Sequence, residues 1–219
     1  MTVGKTYVAD TLKREHYAVL CARRKMKHAV PRHLPRNLIW GLDLAAYTDT
    51  RGRQYFIVML IEHASRACLL LKRLRNKSSV TLLGSLLAPF RQYGRPVYLR
   101  TDNESCWTSR LFRLTLWLLG IGHQRTTPHC PWENGRVERC IGTLKTRLAS
   151  WVIADGEDLD RALTVARGWY NHLRPHQHLQ GRTPAEAWAG VEVFGDTPAG
   201  KTARKLWLRN VRLYTRAMG

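Results

Sequence analysis

Three short apolar runs in the first third of the chain restrict what it can form. They are residues 38–44, 55–61 and 67–71. Each run is shorter than an average helix, and each is rich in the apolar residues that fill buried strands. Asp49 and Gly52 mark a turn after the first run, and the polar residues 63–66 follow the second. We therefore predict an antiparallel meander of three strands.

The rest of the chain alternates helical and extended patterns. Ser79 is the predicted N-cap of a helix within residues 78–93, and a fourth strand then runs from Val97 into Asp102. Further along we predict a helix over 109–119, a strand over 121–125, a helix that buries Val137, Ile141, Leu144, Leu148 and Trp151, and a helix over 157–173. The order βββ-α-β-α-β-α predicts a mixed α/β domain with a five-stranded sheet flanked by helices.

The charge of the chain is strongly positive. Its 36 Lys and Arg residues against 16 Asp and Glu give a formal net charge of +20. A chain this basic repels itself unless an anion neutralises it, and a nucleic acid is a polyanion that can do so. A solvated basic surface and a ribosome-type structural protein are the alternatives that charge alone leaves open.

Towards the two ends, residues 16–36 and 201–219 contain several basic residues and no acid, which predicts three regions. Residues 1–36 form a basic helical arm and linker, 37–190 hold the α/β domain with a C-terminal helical extension, and 191–219 form a basic tail. In the arm, the predicted DNA contacts are Arg23, Arg24, Lys25 and Lys27.

Hydropathy and cysteine spacing indicate where the protein resides. No run of about eighteen uncharged apolar residues occurs, so we expect no membrane-spanning helix and no membrane partner. The 5 cysteines are scattered and include no C-x-x-C pair, which is typical of reduced thiols. Because the N-terminus also lacks a signal-peptide pattern, we predict a cytoplasmic protein.

Three carboxylates occupy informative positions in this basic chain. Asp43 lies inside an apolar strand, where an ionised side chain is costly unless it is paired or metal-bound. Asp102 follows the fourth strand, and Glu138 lies beside Val137 at the edge of the buried face of a helix. Singly, they could be an arginine-paired acid, a turn residue and a helix acid paired with a base. Together they favour a metal site.

Oxygen ligands of this kind suit Mg²⁺ or Mn²⁺. Two such ions about 4 Å apart can bracket a scissile phosphodiester, one activating the attacking oxygen and the other stabilising the leaving oxygen. We predict that Asp43, Asp102 and Glu138 are the catalytic residues and the ligands of two ions. The acids in or near turns are interpreted as spectators: Asp49, Glu104 and Glu133.

Four segments carry a resemblance to one protein family. They are Trp40–Asp43, Thr101–Glu104, Pro128–Lys145 and Trp169–Trp188. On these motifs, residues 37–190 resemble the catalytic core of bacterial insertion-sequence transposases of the DDE, retroviral-integrase-like type. Positions 102 and 138 have 35 residues between them, the spacing for which this family is known. At Glu104 many relatives have glycine.

The resemblance implies an RNase H-like fold and Mg²⁺-dependent strand transfer, in which a DNA 3′-hydroxyl attacks a target phosphodiester. It implies that Glu138, and not Glu133, is the third carboxylate. It also implies element ends and target DNA as partners, at least a dimer on DNA, and a nucleoid-associated bacterial protein. Relatives usually carry an upstream helix-turn-helix. A truncated copy, a helix-turn-helix partner protein and recognition by the arm alone therefore stay open.

Further residues are assigned by their place around the third carboxylate. Lys145 lies two turns after Glu138 on the same side of the helix, and we predict that it contacts DNA together with Arg139 and Asn134. Asn134 and Gly135 are also expected to shape the loop before this helix. The residues expected to fix the C-terminal helix against the core are Tyr170, Asn171, Arg174 and His176.

Two other functions stay open at this point. An RNase H-type nuclease often uses a fourth carboxylate on the first helix of the domain, but residues 78–93 contain no acid. A truncated or co-opted relative that binds DNA without catalysis is the other alternative. The intact carboxylates do not favour it, whereas the short N-terminal region does.

Overall fold

The computed structural model describes residues 4–15, 34–127 and 134–191. The chain divides into two compact units, residues 1–33 and 34–219. Within the first unit, the structure describes helix α1 (Lys5–Arg14) and the residues next to it. The domain boundaries at 36/37 and 190/191 stay predictions. The predicted DNA contacts in the arm and nearly all of the basic tail lie outside the described residues: Arg23, Arg24, Lys25, Lys27 and 192–219.

The second unit contains the predicted five-stranded mixed sheet with flanking helices. The strands are β1 (Ile39–Thr48), β2 (Gln54–Glu62), β3 (Cys68–Leu74), β4 (Tyr98–Thr101) and β5 (Gly122–Arg125). The helices are α2 (Ser79–Tyr93), α3 (Ser105–Thr108), α4 (Arg110–Leu118), α5 (Gly135–Ala149), α6 (Gly156–Gly168) and α7 (Pro184–Ala189). A π-helical turn (Trp169–Leu173) continues α6, and a 3₁₀ turn (Gln177–Leu179) follows.

Strand order brings two of the predicted carboxylates together. The order is β3-β2-β1-β4-β5, with β1 antiparallel to β2 and parallel to β4. Gly41 of β1 pairs with Arg100 of β4. Asp43 lies two residues after Gly41, and Asp102 lies two residues after Arg100. Because the two strands run in parallel, Asp43 and Asp102 lie side by side at the level where β4 ends.

The sheet is buried on both faces in its central strands. Along β2, Val58 and Leu60 belong to one apolar cluster, and Ile57, Met59 and Ile61 belong to the other. Successive strand residues point to opposite faces, so a strand covered on both sides must be apolar throughout. This explains the uninterrupted run at residues 55–61. Helices α2 and α4 contribute to the first cluster, and α5 and α6 to the second.

Several predicted boundaries differ from those in the structure. Ser78, and not Ser79, caps α2, since its Oγ accepts from the Thr81 N–H at 3.3 Å. The Ser79 hydroxyl instead donates to the Cys106 carbonyl at 3.0 Å. Strand β3 extends to Leu74, because its pairing with β2 continues as far as Phe56 opposite Leu74.

The helix predicted over 157–173 changes from α to π geometry after Gly168. Its predicted buried residues are buried: Leu159, Leu163, Ala166 and Tyr170. Among the described residues, no helix combines the length and apolar character needed to cross a membrane.

Candidate active site

Asp43 and Asp102 are held in place by neighbouring backbone groups. The Asp43 Oδ1 accepts a hydrogen bond from the Leu44 N–H at 2.8 Å, and the Asp102 Oδ1 accepts one from the Glu104 N–H at 3.0 Å. Both aspartates are half-buried at the edge of the sheet. One carboxylate oxygen of each aspartate is thus held by the adjacent backbone.

Helix α5 brings Glu138 to the same edge because it packs closely on β1. A Cβ added to Gly41 would lie 2.7 Å from His63 Nε2 and closer still to the Val137 Cγ2 methyl. Glycine is therefore required where the helix crosses the strand. Val137 is fully buried there, whereas Glu138, predicted at the edge of the buried face, is exposed.

The pKa of Asp43 is raised by burial and by the carboxylates near it. Burial is the largest cause, and the charges of Asp102, Glu104 and Glu138 add to it against the effect of the Leu44 N–H, so that the pKa rises from 3.8 to about 6. Among the described residues, no Lys, Arg or His lies within ion-pair distance of Asp43, Asp102 or Glu138. The site therefore carries negative charge that a cation could neutralise.

The carboxylates are near one another without forming a closed ligand set. Within the described ranges, no three His, Cys, Asp or Glu side chains are placed so that they could hold one metal ion. The donor chemistry nevertheless fits a hard divalent cation, because the carboxylates of Asp102, Glu104 and Glu138 lie near the half-buried Asp43.

Asn134 links the start of α5 to the aspartate on β1. Its backbone carbonyl accepts from the Val137 and Glu138 N–H groups at 2.9 and 3.2 Å. Its side-chain Nδ2 donates to Asp43 Oδ2 at 3.4 Å, and its buried Oδ1 has no partner among the described residues. Asn134 is thus a positioning residue for Asp43, a role that the sequence did not reveal. Its predicted contact with DNA stays a prediction.

The other acids divide into three cases. Glu104, interpreted as a spectator, lies close enough to Asp43 to raise its pKa, and it also stands 3.6 Å from the Lys77 Nζ. The only signal for this in the sequence was its place two residues after Asp102. Asp49 is buried in the β1–β2 turn, where it accepts from the Arg51 and Arg53 N–H groups at 2.9 Å. Glu133 lies outside the described residues.

The remaining predicted DNA contacts are on the outer side of α5. Arg139 and Lys145 are both exposed. Lys145 follows Glu138 by two turns, so the two side chains project from the same side of the helix. This placement is compatible with a DNA strand that passes from the carboxylates along α5, and the contacts themselves stay predictions.

The segment after α6 fixes the C-terminal region to the core, as predicted. The Asn171 Oδ1 accepts from the Cys68 N–H, and its Nδ2 donates to the Cys68 carbonyl, both at 2.9 Å. The Arg174 guanidinium donates to a ring nitrogen of His176 at 2.9 Å, and the rings of His176 and Tyr170 are 5.0 Å apart. Burial first, and then the charge of Arg174, lower the pKa of His176 to about 3.

Residues 33–131 and 119–184 match two family models, each described as an integrase core domain. Residues 33–184 carry an integrase core domain of the DDE, retroviral integrase superfamily. This domain extends over β1 to β5 and reaches the start of α7.

Solved structures confirm the RNase H-like fold of this integrase core domain. The HTLV-2 integrase catalytic core in complex with magnesium, in its trimeric form, is 23% identical with a TM-score of 0.60; the match covers 71% of this chain and 99% of that one. A simian T-cell lymphotropic virus intasome in complex with PP2A regulatory subunit B56 gamma is 27% identical with a TM-score of 0.63, over 77% and 63% of the two chains.

Relatives by sequence are much longer than this chain. The uncharacterized protein K02A2.6 of Caenorhabditis elegans is 32% identical over 122 residues, which are 56% of this chain and 10% of that protein. The chain spans about a tenth of the length of the curated relatives it matches, which include retroviral Gag-Pro-Pol polyproteins.

Proposed function

We propose that this protein is a DDE-type transposase or integrase that joins DNA ends to target DNA by metal-dependent strand transfer. The observation that carries the proposal is the convergence of carboxylates from β1, the end of β4 and α5. Asp102 and Glu138 lie close enough to the half-buried Asp43 that their charges add to the effect of burial in raising its pKa to about 6. The integrase core domain supports the same reaction class.

Asp43, Asp102 and Glu138 are the residues that would hold two Mg²⁺ or Mn²⁺ ions. When bound, such ions stabilise the charge that develops on the attacking and leaving oxygens of a phosphodiester. Since the carboxylates do not yet form a closed ligand set, we expect the exposed Glu138 side chain to adjust most on binding. The HTLV-2 core was solved in complex with magnesium, which supports this choice of ion.

The reaction exchanges one phosphodiester for another. The 3′-oxygen of a DNA end bonds to a target phosphorus, the bond from that phosphorus to the target 3′-oxygen breaks, and the proton of the attacking hydroxyl passes to solvent. Asn134 holds Asp43 in register with the start of α5 during this exchange. Lys145 and Arg139 are proposed to hold the DNA backbone on the exposed side of α5.

The nature of the biological partners also belongs to this proposal. We propose element ends and target DNA as substrates, a homo-oligomer as the active form, and a bacterial insertion sequence in the nucleoid as the setting. Oligomeric relatives support the second point, since the HTLV-2 core was solved in dimeric and trimeric forms. A helix-turn-helix partner remains the alternative route to recognition of the ends.

A labelled oligonucleotide with a free 3′-hydroxyl and a supercoiled plasmid, incubated with the full chain and Mn²⁺, tests the proposal. Joined product is expected, and an oligonucleotide ending in a dideoxynucleotide should give none. Asp102→Asn should lower joining about 10²- to 10³-fold, because several kcal/mol of transition-state stabilisation are lost.

The matched control is Asp160→Asn, which changes an exposed aspartate paired with Arg73 and should leave joining unchanged. Undiminished joining by Asp102→Asn would contradict the assigned site. Hydrolysis of an RNA–DNA hybrid without joining would identify a nuclease instead. That outcome is not expected, since α2 contains no acid that could serve as a fourth carboxylate.

A further inference from the structure

Three arginines lie on the face of the sheet that α5 covers, which is also the face that carries Asp43. We call Arg66, Arg100 and Arg136 the arginine cluster. Arg100 pairs across the strands with Gly41, whose absent Cβ points at Val137 of α5, so Arg100 shares that face. Its guanidinium donates to Gln124 Oε1 at 2.9 Å.

The other two arginines reach this face from a turn and a helix. Arg136 stands in the first turn of α5, and its Nη1 donates to the His63 carbonyl at 3.1 Å. Arg66 lies in the turn after β2 with a left-handed backbone, at a φ of 64°. Each half-buried guanidinium lowers the pKa of another member or of His63, which places the three charges close together.

A buried, unpaired histidine lies next to the arginine cluster. His63 is 2% exposed, and its Nε2 has no hydrogen-bond partner among the described residues. Burial, followed by the charges of Arg136, Arg100 and Arg66, lowers its pKa to about 3, so the imidazole is neutral at physiological pH. A buried polar atom without a partner is unfavourable in the free protein.

Arg66 and Arg136 share Glu62 as an acidic neighbour. The Glu62 carboxylate already accepts from the Ala64 N–H, the Ser65 N–H and the Ser65 hydroxyl at 2.9, 2.6 and 2.6 Å. Neither Arg66 nor Arg136 forms an ion pair with a described carboxylate. In addition, Arg136 stands where the helix dipole disfavours a cation. These two arginines therefore destabilise the free fold, and an anion would relieve them.

We propose that Arg66, Arg100 and Arg136 bind a phosphodiester of the DNA strand that enters the active site. Arg100 is one strand across from Asp43 and two residues back, a Cα separation of about 8 Å. This distance suits a phosphate near the one that reacts. Guanidinium groups bind phosphate oxygens through paired hydrogen bonds, which a lysine cannot do. The inference rests on the proposed function, since it takes DNA as the substrate.

The test uses the full chain with metal chelated, so that it does not depend on catalysis. The variants are Arg66→Gln, the double variant Arg66→Gln/Arg136→Gln, and the control Arg73→Gln. Thermal unfolding is measured with and without inorganic phosphate, and binding of a duplex oligonucleotide is measured over a range of salt concentrations.

We expect the double variant to melt at a higher temperature than the wild type without phosphate and to lose the rise in Tm that phosphate causes. Its log Kd against log salt slope should fall by about 1, the value for one phosphate contact. Arg66→Gln should also raise the Tm without phosphate and lower the salt slope. It leaves the hydrogen bond from Arg136 to the His63 carbonyl in place, so it separates the loss of charge from the loss of that bond. Arg73→Gln should melt lower, since it loses its pair with Asp160, and should keep the salt slope.

Two results would overturn the inference. If the variants melt lower and keep both the phosphate response and the salt slope, the cluster is structural. If the phosphate response is lost while the salt slope is unchanged, the ligand is free phosphate and not DNA. Failure of strand transfer would not affect either measurement, so the two proposals fail separately.

Discussion

The contact between Gly41 and α5 gives the sharpest prediction, because it sets the distance between the two segments that carry Asp43 and Glu138, two of the proposed catalytic residues. In Gly41→Ala the new methyl would lie 2.7 Å from His63 Nε2 and nearer still to Val137 Cγ2, whereas ordinary contact begins at 3.4 Å. The helix must therefore move away by about 1 Å. Overpacking of this kind costs about 1–3 kcal/mol of unfolding free energy.

The effect on activity should exceed the effect on stability. Glu138 directly follows Val137, so a shift of α5 displaces the carboxylate from Asp43 and Asp102. A misplacement of about 1 Å can lower the rate on the order of 10²-fold. We expect Gly41→Ala to be folded without denaturant and to unfold cooperatively in a urea titration at low temperature. Its rate of Mn²⁺-dependent joining should fall about 10²-fold.

A double-mutant cycle separates this cause from general damage. Val137→Ala removes the obstructing methyl, so Gly41→Ala/Val137→Ala should be less destabilised than the sum of the single variants by about 1 kcal/mol. The control Gly84→Ala adds a methyl at a helical glycine with nothing within 4 Å and should stabilise the fold by about 0.5–1 kcal/mol. Strictly additive energies at positions 41 and 137, or full activity in Gly41→Ala, would refute the reasoning.

Three further predictions follow from single contacts. Because the folded pKa of Asp43 lies above its unfolded value of 3.8, its contribution to the stability of the metal-free protein is present below pH 4 and is lost as the pH rises through about 6. Asp43→Asn should therefore raise the unfolding free energy at pH 7 by at most about 3 kcal/mol and flatten the pH dependence of that free energy between pH 4 and 6. If the difference in unfolding free energy between the variant and the wild type stays constant across that window, the assigned pKa is contradicted. Asn171→Leu leaves the Cys68 N–H without its partner and should cost about 1–3 kcal/mol in urea unfolding, while the exposed neighbour His172→Ala should change stability by less than about 0.5 kcal/mol. Thr183→Val removes the hydroxyl of the capping box at α7 and should cost about 1 kcal/mol; equal stability would show that Pro184 alone starts the helix.

The strands and the three carboxylates could be predicted from the local pattern of apolar and acidic residues. The run at 55–61 is apolar throughout because β2 is covered on both faces, and its short length and flanking turn residues favour a buried strand. Asp43 stood out because an acid in such a run is costly. The boundaries of β3 and α2 were missed by a few residues, because they depend on how far β3 pairs with β2 and on which serine faces Thr81.

Several contacts of the site were not predictable in this way. The bond from Asn134 to Asp43, the approach of Glu104 and the gathering of Arg66, Arg100 and Arg136 each join segments that are far apart in the chain or depend on side-chain direction. Nothing in the local sequence states that β4 lies beside β1 in parallel.

The sequence by itself determined which elements form and which acids are out of place in them, because secondary structure and burial follow from the period of apolar residues. Only the tertiary structure decided that Asp43, Asp102 and Glu138 come to one edge of the sheet, and that an arginine cluster lies on the same face. The physical reason is strand order and register: the pairing of Gly41 with Arg100 and its contact with Val137 fix the distances at which these charges act.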